Sequence, residues 1–117
     1  MSRIALVAVV LIAAAVLVAQ ALGATTLKIG ADKAALKFNT AFLKAPAGKV
    51  TIVMANPSVL PHNVAIKGRG VKPVLGKVVL KGGTSIARAS LKKGTYTFYC
   101  SVPGHEAAGM KGILKVG

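Results

Sequence analysis

Short runs of alternating apolar and polar residues follow one another along most of this chain. The run over residues 49–54 places Val50, Ile52 and Met54 on one face, with Lys49 and Thr51 on the other. A period of two residues is typical of a β-strand with one buried face. Similar runs predict strands over residues 62–67, 77–81, 84–91, 95–100 and 112–116, and residues 26–29 and 36–39 are expected to add one or two more.

Turn-forming residues separate these runs. Clusters containing Gly, Pro or Asn lie at residues 45–48, 56–58, 68–70, 81–83 and 92–94. No segment after the N-terminus has a convincing helical period, and no internal repeat is present. Seven or eight short strands in a chain of this size predict an all-β fold with two packed sheets. In this scheme Val78 and Leu80 face inward from their strand.

The N-terminus has a different pattern. Arg3 precedes an unbroken apolar run over residues 4–19, and small residues flank Gln20 where a signal peptidase would cleave. The run is shorter than the about 20 residues that a membrane span needs. We therefore predict a signal peptide over residues 1–21, and an uncleaved anchor formed by residues 4–19 is the alternative. Both predict an extracytoplasmic protein, in the periplasm, in the cell envelope or secreted.

The charge is strongly one-sided. The chain has 16 Lys and Arg residues against 2 acidic residues, a formal net charge of +14. The lysines are spread along the sequence, which predicts a cationic surface that adheres to an anionic membrane or cell envelope, or that is steered toward an acidic protein partner. Nucleic acid is excluded as a partner, because the leader directs the chain out of the cytoplasm and no basic stripe with interleaved aromatic residues is present.

The candidate chemistry is concentrated near the C-terminus. Cys100, the only cysteine, begins a Cys-x4-His-x4-Met run that continues to His105 and Met110, and the other histidine is His62. One thiolate, two imidazoles and a weak thioether suit copper, whereas zinc prefers Cys and His ligands without Met. An unpaired thiol in an oxidising compartment is also open to unwanted reaction unless it is bound, for example to a metal.

Strand alternation supports convergence of these residues. It turns Cys100 inward with Phe98, and it turns His62 inward with Val64. Turns at residues 103–104 and 109 can bring the remaining two side chains back to the same place. Each residue also has a structural interpretation alone, as a hydrogen-bonded core histidine, a buried thiol or a packed methionine. The joint pattern favours a metal site.

The segments Gly-Thr-Tyr-Thr-Phe-Tyr-Cys-Ser at 94–101, Pro-His-Asn at 61–63 and Gly-Met-Lys-Gly at 109–112 resemble the plastocyanin/azurin group of cupredoxins. The resemblance implies a Greek-key β-sandwich over residues 25–117 with one type 1 copper that cycles between Cu(I) and Cu(II). It implies three equatorial ligands and one axial ligand, and the matching positions are His62, Cys100 and His105, with Met110 axial. It also implies that Asn63 ties its strand to the Cys100 loop by hydrogen bonds.

The spacing within the ligand loop differs from that of plastocyanins and of azurins, and it is closer to auracyanin-like and rusticyanin-like loops. The ligand types are unaffected by this difference, but the reduction potential does not follow from the resemblance. The acidic recognition patch of plant plastocyanins is absent, so their partner cannot be transferred to this chain.

The predicted function is transfer of single electrons between a donor and an acceptor redox protein by a monomer. The ring edge of His105 is expected to reach the surface through a small apolar patch, which we define as Pro103, Ala107 and Ala108, with Leu60 and Pro61 at its border. The alternatives are a module that delivers or buffers copper without electron transfer, and a cationic envelope-binding protein with an incidental metal. Two carboxylates provide no acid–base pair, so an enzyme is not expected.

Overall fold

The computed structural model describes residues 24–117, so the predicted signal peptide lies outside the described residues. This part of the chain forms eight strands and no helix, and it therefore contains no helix that could cross a membrane. The strands are β1 Thr25–Gly30, β2 Phe42–Ala45, β3 Gly48–Ala55, β4 Ala65–Gly68, β5 Val71–Leu75, β6 Thr84–Leu91, β7 Gly94–Tyr99 and β8 Lys111–Val116.

The strands build two sheets. One has three strands in the order β1-β3-β6, and the other has five in the order β2-β8-β7-β4-β5. β1 runs parallel to β3 and β2 runs parallel to β8, while the remaining pairs are antiparallel. The chain passes repeatedly from one sheet to the other, and the predicted all-β Greek-key sandwich of seven or eight strands is confirmed.

Two predicted segments were wrong. Residues 36–39 form no strand, since Phe38 makes only an isolated bridge to Ala31, and residues 42–45 take the sheet position instead. Within residues 77–81 only Val79 pairs, as a single bridge to His62. Val78 is 49% exposed and Leu80 is 70% exposed, so these two side chains face solvent rather than the core.

The strand β5 was missed for a physical reason. Its sequence contains Pro73, which lacks the N–H needed for pairing in the interior of a sheet. β5 lies at the edge of the five-stranded sheet, where one side of the strand needs no partner. β2 is also an edge strand and has only four residues, too few to display a clear alternation.

The core lies between the two sheets. The inward residues of β3 are Val50, Ile52 and Met54, and all three are fully buried, as the alternation predicted. Phe98 packs opposite them from β7, and Gly112 on the neighbouring strand leaves room for its ring. A side chain at position 112 would overlap that ring. The core is thus filled by interlocking shapes from both sheets.

The sandwich has two ends, which we call upper and lower. At the upper end, β3 finishes at Ala55 and β7 finishes at Tyr99. At the lower end, β1 begins at Thr25 opposite Val50, and Ala45 of β2 lies opposite Val116. The two sheets are joined at the lower end by the β2–β3 and β6–β7 turns.

Candidate metal centre

The four candidate ligands come from two segments at the upper end. Cys100 directly follows β7, and the loop that begins there carries His105 and Met110 before β8 starts. His62 lies in the segment before β4, where its backbone N–H donates to Val79 (3.1 Å) and its carbonyl accepts from the Val79 N–H (2.8 Å). This pairing fixes His62 although it lies outside a regular strand.

Three of the side chains converge. One ligand atom each from His62, Cys100 and His105 lies within 4.8 Å of the other two. The two histidine Nδ1 atoms are 3.2 Å apart, and the Cys100 Sγ atom is 3.9 Å from Nδ1 of His62 and 3.5 Å from Nδ1 of His105. Both imidazoles therefore turn Nδ1 toward the thiol, an arrangement in which the three side chains can share one metal ion.

Met110 is held next to this group through its backbone. Its N–H donates to the His105 carbonyl (3.0 Å), and its own carbonyl accepts from the Cys100 N–H (3.1 Å). The side chain is fully buried in the same apolar cluster as Cys100. The two ends of the loop are thus fastened to each other, which brings the thioether-bearing residue beside both of the other loop ligands.

Tight turns shape the loop between these residues. The His105 N–H donates to the Val102 carbonyl (3.0 Å), and the Gly109 N–H donates to the Glu106 carbonyl (2.9 Å). Gly104 has φ of 84° and Gly109 has φ of 114°, a region that residues with a side chain rarely adopt. These two positions are where the sequence predicted the turns.

Asn63 connects the two segments. Its Nδ2 donates to Ser101 Oγ (2.7 Å) and to the Gly76 carbonyl (2.9 Å), and its Oδ1 accepts from the Ser101 N–H (2.7 Å). The side chain is 1% exposed, so these bonds form away from water. The residue after His62 therefore hydrogen-bonds through both its amide nitrogen and its amide oxygen to the residue after Cys100, which fixes the relative position of the two candidate ligands.

Sequence reasoning missed a second buried amide. Asn56 was identified only as part of a turn, yet its Nδ2 donates to the carbonyls of Leu60 (2.9 Å) and Val79 (3.0 Å), and its Oδ1 accepts from the Ser58 N–H (2.9 Å). It thereby holds together the two backbone segments that flank His62. The only signal for this role was an Asn at a strand end next to Pro57, which is also typical of an ordinary turn.

The electrostatics favour a neutral imidazole at His62. Burial lowers the pKa of His62, and a positive charge on His105 would lower it further. Within the described residues, Nε2 of His62 is buried and has no hydrogen-bond partner. A neutral histidine has a free lone pair for a metal, and two nitrogens with a nearby thiol form a soft donor set that suits copper.

The surroundings of His105 are partly exposed. The patch residues Pro103, Ala107 and Ala108 are all exposed around it, while Pro61 is half-buried. Leu60 is 39% exposed, and the nearby Val59 and Leu80 expose still more apolar surface. The apolar surface at this end is therefore larger than the sequence-defined patch.

An ion pair outside the ligand set also ties the loop to a strand. Nζ of Lys67 on β4 lies 2.6 Å from Oε2 of Glu106, and 4.3 Å from the centroid of the Tyr99 ring. Both charged side chains are about one-third exposed, at 38% and 31%. No local sequence pattern indicated this contact, because Lys67 and Glu106 are far apart along the chain.

Comparison with known proteins gives one family. The model described as copper binding proteins of the plastocyanin/azurin family matches residues 25–117. Plastocyanin B of the chloroplast of Populus nigra is 34% identical over an alignment of 118 positions, and the match covers 93% of this chain and 68% of the relative. Plastocyanin of Scenedesmus fuscus is 31% identical over 98 residues, covering 78% of this chain and 97% of the relative.

Solved structures agree with the sequence matches. Reduced auracyanin from the photosynthetic bacterium Roseiflexus castenholzii superposes with a TM-score of 0.69 at 27% identity, covering 81% of this chain and 99% of the other. Auracyanin A, a blue copper protein of Chloroflexus aurantiacus, gives 0.70 at 25% identity, covering 81% and 100%. The family match over residues 25–117 includes the segments that carry the converging side chains.

Proposed function

Since this chain belongs to the plastocyanin/azurin family of copper-binding proteins, we propose that it is an exported carrier of single electrons that works through one bound copper. The copper supplies a couple between Cu(I) and Cu(II). The ligands that we assign are the upper-end residues His62, Cys100, His105 and Met110. The observation that carries this proposal is the convergence of two imidazole nitrogens on one buried thiol.

The ligand residues are held in place before any metal binds. Asn63 fixes the segment of His62 against the Cys100 loop, and the backbone bonds of Met110 close that loop. A ligand set that is fixed in this way keeps one geometry in both oxidation states, which lowers the reorganisation that accompanies electron transfer. Full burial of His62 and Cys100 also keeps water away from the thiolate.

His105 is the route to the surface that we assign. It is only half-buried, and the exposed patch residues Pro103, Ala107 and Ala108 belong to the same loop. An apolar contact of this small size suits brief encounters with a redox partner protein. The positive net charge supports an acidic partner, because opposite charges steer diffusional encounter.

Copper delivery is the second candidate, and catalysis is not favoured. Burial of two proposed ligands slows release of the metal, which supports electron transfer over delivery. Both acidic side chains of the chain are already engaged. Asp32 accepts the N–H groups of Ala34 and Ala35, and Glu106 pairs with Lys67. Neither carboxylate is free to act as a general base.

The test is the visible and EPR spectrum of the full chain loaded with one equivalent of Cu(II). We expect an intense thiolate-to-copper absorption that disappears in Cys100→Ser. Met110→Leu should keep the absorption and raise the reduction potential, whereas the matched variant Met54→Leu, in the core on β3, should change neither. A pale protein with an ordinary Cu(II) signal would contradict the ligand assignment, and loss of copper on reduction would support delivery.

The electron route has a separate test. Ala107→Glu should slow electron self-exchange between two copies of the loaded chain while leaving the absorption unchanged, because a carboxylate would interrupt the apolar contact. Ala47→Glu is the matched control, since Ala47 is also exposed but lies in the lower-end turn. Because one added carboxylate lowers the repulsion between two strongly cationic copies, charge alone would speed exchange in both variants. Equal or faster exchange in Ala107→Glu would therefore contradict this electron route.

A further inference from the structure

We propose that the lower end of the sandwich binds the anionic headgroups of a lipid bilayer, so that the metal centre points away from the membrane. The proposal concerns the end opposite to the proposed copper ligands, and it does not depend on the identity of the metal. Six exposed cations lie at this end, in the turns and on the last residues of the strands, and they are Lys44, Lys49, Arg69, Lys92, Lys93 and Lys115.

No acidic side chain balances these cations. The two acidic residues of the chain, Asp32 and Glu106, both lie toward the upper end, beyond the end of β1 and within the ligand loop. Each is already engaged there by hydrogen bonds or by an ion pair. The positive potential of the lower end is therefore not neutralised within the molecule, and it is available to an external anionic surface.

Two lysines are paired directly against each other. Lys44 on β2 lies in register with Lys115 on β8, and both side chains are on the outer face of the sheet. Like charges directly opposite on neighbouring strands reduce stability. At the β6–β7 turn, Arg69 and Lys92 line one small depression, and the Tyr96 hydroxyl fixes this turn by donating to the Lys92 carbonyl (2.8 Å). The fold thus concentrates repulsive charges that a bound anionic surface would offset.

An exposed apolar pair adjoins the lysine pair. Phe42 lies in register with Ile113, and these side chains are 54% and 49% exposed. Because β2 and β8 both run toward the lower end, this apolar pair lies one step farther from that end than the lysine pair, so the contact that we propose is made through the cations. The cations are also distributed over the end of both sheets rather than along a groove, as expected for a broad and fluid surface.

The path of the chain favours a bilayer over an acidic protein. β1 enters the sandwich at Thr25, at the lower end, and Ala24 and Lys49 line the same surface depression as Arg88. In the sequence, the apolar run over residues 4–19 precedes this entry point by only a few residues. A membrane contact made by the N-terminal segment would therefore bring the lower end, and not the metal centre, next to the headgroups.

The first experiment maps the contact on the unmodified full chain. The chain is reconstituted with vesicles of phosphatidylcholine alone or mixed equally with phosphatidylglycerol, and the acetylation rate of each lysine is measured by mass spectrometry. We expect phosphatidylglycerol to slow modification of Lys44, Lys92, Lys93 and Lys115 severalfold. Lys33, Lys37, Lys77 and Lys81 at the upper end should react at unchanged rates. High salt should remove the difference, because it screens exposed charges.

The second experiment uses two variants of equal net charge. In one, Lys44, Lys92, Lys93 and Lys115 are replaced by Gln, and in the other Lys33, Lys37, Lys77 and Lys81 are replaced by Gln. Since each lysine near an anionic bilayer contributes roughly a fivefold gain in binding, the first variant should lose at least about tenfold of its preference for phosphatidylglycerol vesicles. The second should lose much less. Both should keep the copper absorption of the parent chain, which separates this test from that of the metal site.

Three outcomes would overturn the proposal. Protection of upper-end lysines by phosphatidylglycerol would place the contact at the wrong end. Equal losses of the vesicle preference in the two variants would show that binding depends on net charge and not on the position of the lysines. Protection of the lower-end lysines by polyglutamate but not by phosphatidylglycerol would assign this surface to an acidic protein instead.

Discussion

The two ends of the sandwich close its interior in opposite ways. Within residues 24–117, and apart from the hydroxyl of Tyr96, the buried polar side chains all lie toward the upper end, and they are Asn56, Ser58, His62, Asn63 and Ser85. The lower end is closed by apolar side chains, among them Val50, Leu91 and Val116, and its charges remain outside.

The two ends therefore contribute differently: the lower end mainly stabilises the fold, and the upper end positions particular side chains. Apolar burial is not directional, so the lower end can stabilise the fold without specifying fine geometry. Buried polar groups must find partners at defined distances and angles, and they lose stability when they do not. The upper end, where side chains must meet a metal at set positions, therefore contains the hydrogen-bond network.

Leu91→Ala should have the largest effect on stability. Leu91 is 3% exposed at the lower end of β6, and truncation would leave a cavity between the sheets. We expect the free energy of unfolding of the metal-free chain to fall by about 3 kcal/mol, measured with urea. The copper absorption of the folded variant should remain that of the parent.

The control for this prediction lies on the same strand. Ile86 is 37% exposed, so Ile86→Ala should cost much less than truncation at position 91. A changed copper spectrum in Leu91→Ala would show that the two ends are coupled through the core, and it would contradict the separation described above.

The sequence predicted the body of the fold better than its edges. The long strands β3 and β6 pair over eight residues each, and their alternation or turn signals were visible in the sequence. The edge strands β2 and β5 were missed, because an edge position tolerates short segments and Pro73. The run over 77–81 has the alternation of a strand but forms none, and its apolar residues Val78 and Leu80 are exposed at the upper end.

The candidate ligands could also be selected from the sequence, because their residue types are rare in this chain and their spacing is restrictive. Their supporting contacts could not be selected in the same way. Asn56 and Ser85 act by hydrogen bonds to backbone atoms of segments that are distant in sequence. Such partners follow from the packing of the two sheets, and ordinary turn and strand residues give no local signal for them.

Asn63→Ala should have an intermediate effect and should act on both properties. It removes three hydrogen bonds and leaves the Ser101 N–H without its partner. We expect a loss of about 2 kcal/mol in the free energy of unfolding, together with a shifted copper absorption, because the two ligand segments are no longer fixed to each other.

Two further variants serve as controls for this prediction. Ser101→Ala removes only the bond to Ser101 Oγ and should produce a smaller change in both measurements. Asn39→Ala removes the bond that Asn39 accepts from the Gly30 N–H (3.0 Å) at an exposed site, and it should leave the absorption unchanged. An unaltered spectrum in Asn63→Ala would mean that the loop positions Cys100 without help from the segment before β4.

Glu106→Gln should have the smallest effect, because the partner of Glu106 is partly solvated. The pair with Lys67 is about one-third exposed, and such pairs contribute up to about 1 kcal/mol and are weakened by salt. A double-mutant cycle with Lys67→Met, measured by urea unfolding at low and high salt, isolates the coupling. We expect a coupling of about 0.5 kcal/mol that declines in high salt, with no change in copper absorption. A larger coupling that persists in high salt, or a shifted absorption, would show that this ion pair helps to position the metal ligands, and the upper end would then depend on its surface as well as on its buried amides.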